Sequence, residues 1–169
     1  MSSPSPSPPS EASSADLGDR RTTLVLVTGS RTWRLAEDVW SRLDSLLAER
    51  GHLTVIHGKA SKGVDLFAHI WAEHHEKVCR DAREWPWPAD WKNLGRKAGI
   101  VRNDEMARLG ADYCLAWIHE CTKIGCPRPM PHGSHGASDC VARARTYGVR
   151  NIELVESWTQ EAVPDPDLL

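Results

Sequence analysis

The sequence predicts an α/β fold: a Rossmann-like three-layer sandwich with a mostly parallel sheet of about five strands and helices on both faces. Three observations predict it. Short apolar runs rich in β-branched residues alternate along the chain with amphipathic segments of helical period. Two of those runs, Leu24-Val25-Leu26-Val27-Thr28-Gly29-Ser30-Arg31 and Val55-Ile56-His57-Gly58-Lys59-Ala60-Ser61-Lys62-Gly63-Val64-Asp65, stop at glycine and small polar residues just before a helical pattern begins. Strands separated by helices then require parallel pairing with right-handed crossovers, which puts ligand-binding loops at the carboxyl ends of the strands.

Taken in order, residues 1–21 are Ser, Pro and small or charged residues, too poor in apolar groups to repay the entropy of ordering, and read as a disordered tail. The domain is expected over 22–158. After the first strand, Leu35, Val39, Leu43, Leu46 and Leu47 recur at helical spacing until Gly51 supplies a left-handed stop. Leu53 to His57 read as the second strand, and Val64, Phe67, Ala68 and Trp71 as the buried face of the second helix. Arg83 to Trp87 read as a short third strand at an edge, because Pro86 cannot donate to a central ladder. Pro88-Ala89-Asp90-Trp91 leaves the sheet as a loop, and Gly95 to Leu109 is helical with Gly110 as its stop. Asp112 to Ile118 form an apolar, centrally placed fourth strand. A Cys-, His- and Pro-containing insertion over 119–135 separates it from a helix over Ser138 to Tyr147 and a last strand over Asn151 to Val155. The remainder, 159–169, reads as a loose acidic tail.

Bulk composition narrows the partners. A length of 169 residues suits one domain with a real core. The net charge of −2 and pI near 6.4 give no long-range attraction to nucleic acid or an anionic membrane, so any anion site must be local. No apolar run approaches the roughly 20 residues of a membrane span, and the start lacks a secretory signal pattern, so a cytoplasmic location is expected. Five cysteines in such a chain argue against a disulfide framework.

Several segments carry candidate chemistry. Gly29, Ser30 and Arg31 end the first strand, where backbone N–H groups, a hydroxyl and a guanidinium can converge on a phosphate; a plain strand-to-helix turn is the alternative. In the second loop Gly58 and Gly63 supply backbone freedom, while Lys59 and Lys62 supply charge or are merely solvated. Asp65 either accepts from ribose hydroxyls or serves as an ordinary acidic first-turn residue. Asp90 and Trp91 either orient and stack a base or anchor a loop. The insertion holds Cys121, Cys126, His132 and His135, two thiolates and two imidazoles suited to a tetrahedral structural zinc; scattered Cys and His on an exposed loop is the other reading. Cys79, Cys114 and Cys140 read as small buried hydrophobes, and His69, His74 and His75 as decoration of a helix.

These segments together resemble a known family. Val27-Thr28-Gly29-Ser30-Arg31, His57 to Asp65, Pro88-Ala89-Asp90-Trp91, Gly95-Arg96-Lys97-Ala98-Gly99-Ile100-Val101-Arg102-Asn103-Asp104-Glu105-Met106 and Gly136-Ala137-Ser138-Asp139 are similar, in that order, to the YspA/YpsA-related branch of the SLOG superfamily. That superfamily includes the DprA/Smf proteins and the LOG phosphoribohydrolases. The resemblance implies a Rossmann-like domain that binds a nucleotide or nucleotide-derived small molecule, often as a sensor, with no required cofactor and with homodimers common among relatives. It also implies a ligand-facing role for Arg102 and Asn103, an ordinary exposed helix arginine being the other reading of Arg102, while Gly136 and Ser138 can receive a phosphate at a helix start. Two alternatives follow from it: a phosphoribohydrolase, and a single-strand nucleic-acid binder with Lys59, Lys62, Arg96, Lys97 and Arg102 lining a groove, which the negative net charge argues against. LOG enzymes carry Pro-Gly-Gly-x-Gly-Thr-x-x-Glu in the fourth loop. Here, with Gly136 on the last glycine, Cys140 falls on the glutamate's place and Asp139 lies one residue earlier, about 100° around the helix. That departure argues against hydrolysis and leaves Asp139 and Asp65 as the candidate carboxylates.

Overall fold

A computed structural model describes residues 22–157; the two expected tails, 1–21 and 159–169, lie outside the described residues. The order of elements is β1 (Thr23–Gly29), α1 (Ala36–Arg50), β2 (Leu53–His57), α2 (Val64–His74), β3 (Ala82–Pro86), α3 (Trp91–Leu94), α4 (Ala98–Arg108), β4 (Tyr113–His119), α5 (His135–Thr146) and β5 (Asn151–Ser157). The five strands form one sheet in the order β3-β2-β1-β4-β5, with every neighbouring pair parallel.

Side-chain alternation along the strands divides the core between two faces. Val25 and Val27 of β1 and Tyr113, Leu115 and Trp117 of β4 pack with Val39, Leu43 and Leu46 of α1 and with Val64, Ala68 and Trp71 of α2. Their neighbours Leu26, Cys114, Ala116 and Ile118 turn to the opposite face and meet Met106 of α4 and Cys140, Val141 and Ala144 of α5. The middles of β1, β2 and β4 are therefore largely apolar on both faces, as strands covered on both sides are, with Thr54 and His57 of β2 as buried polar exceptions. β4 is internal as expected, although β1 holds the middle of the sheet.

The predicted ends are met in most places. Gly51 adopts φ 81° and its N–H returns to the Leu47 carbonyl at 2.7 Å, closing α1. β3 lies at an edge, with Pro86 as its last residue. Some details differ from the expectation. Leu35 precedes α1 and is 60% exposed, so it does not belong to the apolar stripe. α2 runs into a wider π-type turn over His75–Cys79, which leaves Cys79 exposed rather than buried. Two of the three histidines read as decoration are not: His69 Nδ1 lies 2.6 Å from Glu84, and His75, just past α2, stacks on Trp71 and bonds Asp81 at 2.8 Å, whereas His74 is exposed on the helix as expected. Tryptophans bridge layers, with Trp40 donating to the Phe67 carbonyl and Trp71 to Asp44, tying α1 to α2.

Beneath the second loop sits a buried polar cluster. His57 is fully buried; its Nδ1 accepts from the Lys59 N–H at 3.2 Å, so its proton is on Nε2, which donates to Glu84 at 2.9 Å. Burial opposes the charge on Glu84, but hydrogen bonds from His57 and His69 prevail and hold its carboxyl down to about 2. A carboxyl depressed in the folded state stabilises the fold above its ordinary value of 4.5 and loses that contribution as pH falls through the folded value. Between pH 4.5 and about 2 the native chain should thus lose on the order of 2 kcal/mol that Glu84→Gln does not lose, readable as converging urea midpoints on acidification. Parallel pH profiles for the two proteins would contradict it.

Candidate functional site

The chain runs from β1 through α1 toward β2 on one side of the sheet's centre, and from β4 through α5 toward β5 on the other. Connections that diverge from neighbouring strands leave a crevice at their carboxyl ends. A cleft of about 490 Å³ opens there, the size of a small-molecule site. Its walls are Thr28 to Thr32 at the end of β1 and the loop after it, Ala60 and Asp65 from the second loop and α2, Trp91, Arg96, Arg102 and Asn103 from α3, the turn after it and α4, Ser134 to Ala137 with Asp139 from the start of α5, and Glu120, Thr122 and Arg128 from the insertion.

The first two loops are packed into one another. A Cβ on Gly29 would overlap Val64 and lie 2.6 Å from the Trp117 carbonyl oxygen, so α2 and β4 both rest on this bare backbone. Ser30 is buried and its polar atoms are used internally. Its N–H donates to the Trp117 carbonyl at 2.9 Å, its hydroxyl accepts from the His119 N–H at 2.9 Å, and the same hydroxyl donates to Ser134 Oγ at 2.9 Å. The residue thereby ties the first loop to the start of α5.

Arg102 and Asn103 join the other walls. The Arg102 guanidinium donates to the Gly58 carbonyl, lies 3.5 Å from that of Trp87, and stands 3.8 Å from Asp65 Oδ2. Asn103, buried, accepts from Arg102 Nε at 3.1 Å and donates to the Gly136 carbonyl and to Asp139 Oδ2, both at 3.0 Å. Burial pushes the Asp65 carboxyl above its ordinary value, with Arg102 and His57 pulling the other way.

Other residues singled out in the sequence stand apart from the cleft walls. The Lys59 ammonium reaches Glu84 at 3.8 Å, and Lys62 is exposed. Gly58 lies behind Arg102, and Gly63, at φ 68°, packs on the backbone of Ser30 and Arg31. Asp90 caps α3, accepting from the Asn93 N–H at 3.2 Å and its side-chain amide at 2.7 Å, so the loop over 88–90 runs directly into a short helical turn that begins at Trp91. Trp91 does face the cleft; it is half exposed and the Arg31 guanidinium lies 6.0 Å from its ring centre. Ser138 donates its N–H back to Ser134.

α5 starts at His135, three residues earlier than the sequence suggests. This brings the insertion's Arg128, missed in the sequence as a site residue, to the same cleft. The crossover helices α1, α2, α4 and α5 all start along this edge of the sheet. α1 carries Glu37 and Asp38 in its first turn and α2 carries Asp65, whereas the first turns of α4 and α5 have no acidic residue and both helices line the cleft with their first residues. Cys140, on the place of the LOG glutamate, is fully buried, and burial pushes its thiol up to about 11. The oxygens of Asp139 are engaged by Asn103 and by Arg143 Nε at 2.9 Å. The ligand atoms of Cys121, Cys126, His132 and His135 all lie within 4.8 Å of one another.

Residues 23–93 match the model of the YspA, cpYpsA-related SLOG family. The Gene 61 protein of Mycobacterium phage D29 is 43% identical over 94 residues, which span 55% of this chain and 74% of that protein. The chain belongs to the YspA, cpYpsA-related SLOG family. At the coarse level this SLOG chain is a nucleotide-related binding module. The family match ends within α3, so one side of the cleft, from the first loop to Trp91, lies inside the matched SLOG segment. The other side, formed by α4 and α5, lies beyond it. Among the described residues of the SLOG domain no helix is long and apolar enough to cross a membrane.

Proposed function

We propose that this protein binds a nucleotide or nucleotide derivative in the cleft at the ends of β1 and β4, and that it does so as a ligand-binding module without turnover. The observation that carries the reading is the start of α5. Its first turn, unlike those of α1 and α2, has no carboxylate, and Arg31, Arg96 and Arg128 line the same cleft. A phosphate is stabilised there by first-turn N–H groups, the helix dipole and the guanidinium groups together. Trp91 offers a half-exposed ring for a base, and Asp65 is the carboxylate within reach of ribose hydroxyls on the opposite wall.

The absence of turnover rests on charge. Cleavage of an N-glycosidic bond needs a carboxylate free to face positive charge developing on the ribose. The thiol at the LOG glutamate's position stays protonated at neutral pH, and Asp139 is neutralised by Arg143.

Native mass spectrometry of the purified protein, followed by calorimetry with a panel of nucleotides, tests both halves. A bound nucleotide-like mass is expected, and Trp91→Ala should weaken the captured ligand by about tenfold while leaving thermal stability unchanged, because stacking on one aromatic ring contributes about 1–3 kcal/mol. Failure to bind any member of the panel would refute the binding reading. Release of ribose phosphate from a bound nucleotide would refute the claim of no turnover.

A further inference from the structure

We propose that Cys121, Cys126, His132 and His135 hold a structural Zn²⁺ that fixes the start of α5 over the cleft. The proposal does not depend on which ligand the cleft takes. Residues 120–134 contain no helix or strand, and the side chain of Ile124 at their tip is 99% exposed, so this long segment has no apolar core of its own. Such a segment needs another source of order. Its few internal ties are a single antiparallel bridge between Glu120 and Gly133, the Cys121 N–H to the His132 carbonyl at 2.8 Å, and a turn closed by the Cys126 N–H on Lys123.

Three of the four donor atoms already have the spacing of a metal shell, and Cys121 Sγ lies within 4.8 Å of them. Cys126 Sγ lies 3.5 Å from His132 Nε2 and 3.2 Å from His135 Nε2, and the two Nε2 atoms are 3.1 Å apart. Tetrahedral Zn²⁺, with bonds of about 2.3 Å to sulfur and about 2.05 Å to nitrogen, sets S···N near 3.5 Å and N···N near 3.3 Å. Without a cation, two imidazole nitrogens and a thiol sulfur pointing at one another satisfy few of their hydrogen-bonding groups. His132 Nδ1 lies 2.9 Å from the Pro129 carbonyl, so the ring's proton is on Nδ1 and the Nε2 lone pair is directed at the centre. Two thiolates cancel the charge of Zn²⁺, and a Cys₂His₂ set in tetrahedral array selects zinc over harder cations. With four protein ligands the site is closed, which assigns the metal to structure rather than chemistry.

Position gives the site its consequence. His135 is both a member of the cluster and the first residue of α5, and Ser134 beside it accepts from Ser30 and donates its N–H to the His119 carbonyl at 2.9 Å. Zinc therefore clamps the insertion to the helix start that lines the cleft.

Elemental analysis of the full chain purified without added metal should give one zinc per chain. Replacement by Co²⁺ should give the intense visible bands of a tetrahedral site together with thiolate-to-cobalt charge transfer, which Cys126→Ser weakens and Cys121→Ser with Cys126→Ser abolishes. Cys79→Ser, outside the cluster, should retain both metal and spectrum. Hydrogen exchange over 120–138 should speed up at least tenfold on chelation while the central strands stay protected. A folded protein that holds no zinc as isolated and gives only the weak spectrum of octahedral Co²⁺ would overturn the proposal. So would a Cys121–Cys126 disulfide that regains no metal after reduction, or zinc lost from Cys79→Ser and kept by the double variant.

Discussion

Arg102→Ala should destabilise the protein by about 3 kcal/mol or more, since removing one partner leaves an uncompensated buried charge on the other. Arg102 and Asp65 are both largely buried, at 13% and 9% side-chain exposure, and the guanidinium also serves the carbonyls of Gly58 and Trp87. The loss should depend on pH in a definite direction. Burial already raises the Asp65 carboxyl above its ordinary value of 3.8, and removal of the guanidinium raises it further. A carboxyl with a raised folded-state value binds its proton more tightly when folded, so stability is fully present below the ordinary value and is lost as pH rises through the folded one. Arg102→Ala should accordingly be closest to wild type near pH 4 and furthest from it at neutral and alkaline pH. Adding Asp65→Asn should recover much of the neutral-pH loss. Denaturant midpoints for the four proteins of this cycle decide it: additive losses that ignore pH would show that the pair is not coupled.

The sheet and its helices are legible in the sequence because each apolar strand and each helical stripe carries its own period, and the parallel order follows from their alternation. Details that depend on register are not. Glu84 reads as a polar residue of an edge strand, and only the pairing of Val55 with Glu84 and of His57 with Pro86 brings its carboxylate onto His57. Ser30 reads as a phosphate donor since nothing local reveals that Trp117, His119 and Ser134, all distant in the chain, use its N–H and hydroxyl. Lys59 stands in a loop that looks built for anions, yet the turn at φ 50° sends its ammonium toward Glu84. Two misses had readable signals. Asp90 with Asn93 three residues on is a capping pattern that marks the short helix α3. Ser134 is an N-cap residue type ahead of a helical stripe, and an earlier start to α5 was available from it. Cys121, Cys126, His132 and His135 are legible as a donor set from their residue types on one short loop, although the irregular spacing cannot fix their geometry.

The second large effect concerns why position 58 is glycine. A Cβ there would overlap the Arg102 guanidinium and lie 2.7 Å from Asp65 Oδ2. The obstacle is the far end of a flexible side chain, so Gly58→Ala can be accommodated, but only by expelling Arg102 from its place between the second loop and Asp65. Gly58→Ala should therefore reproduce Arg102→Ala in size, about 3 kcal/mol, and in its worsening with rising pH. The double variant Gly58→Ala with Arg102→Ala should be no less stable than Arg102→Ala alone, because the added methyl then fills space the guanidinium has left. Gly29 provides the contrast. A Cβ there meets Val64 and the Trp117 carbonyl oxygen, a branched core side chain and a central strand's backbone, neither of which can swing aside. Gly29→Ala should destabilise at least as strongly, independently of pH, and its loss should add to that of Arg102→Ala. Additivity at position 58, or its absence at position 29, would reverse the assignment of which glycine serves the guanidinium and which serves the sheet.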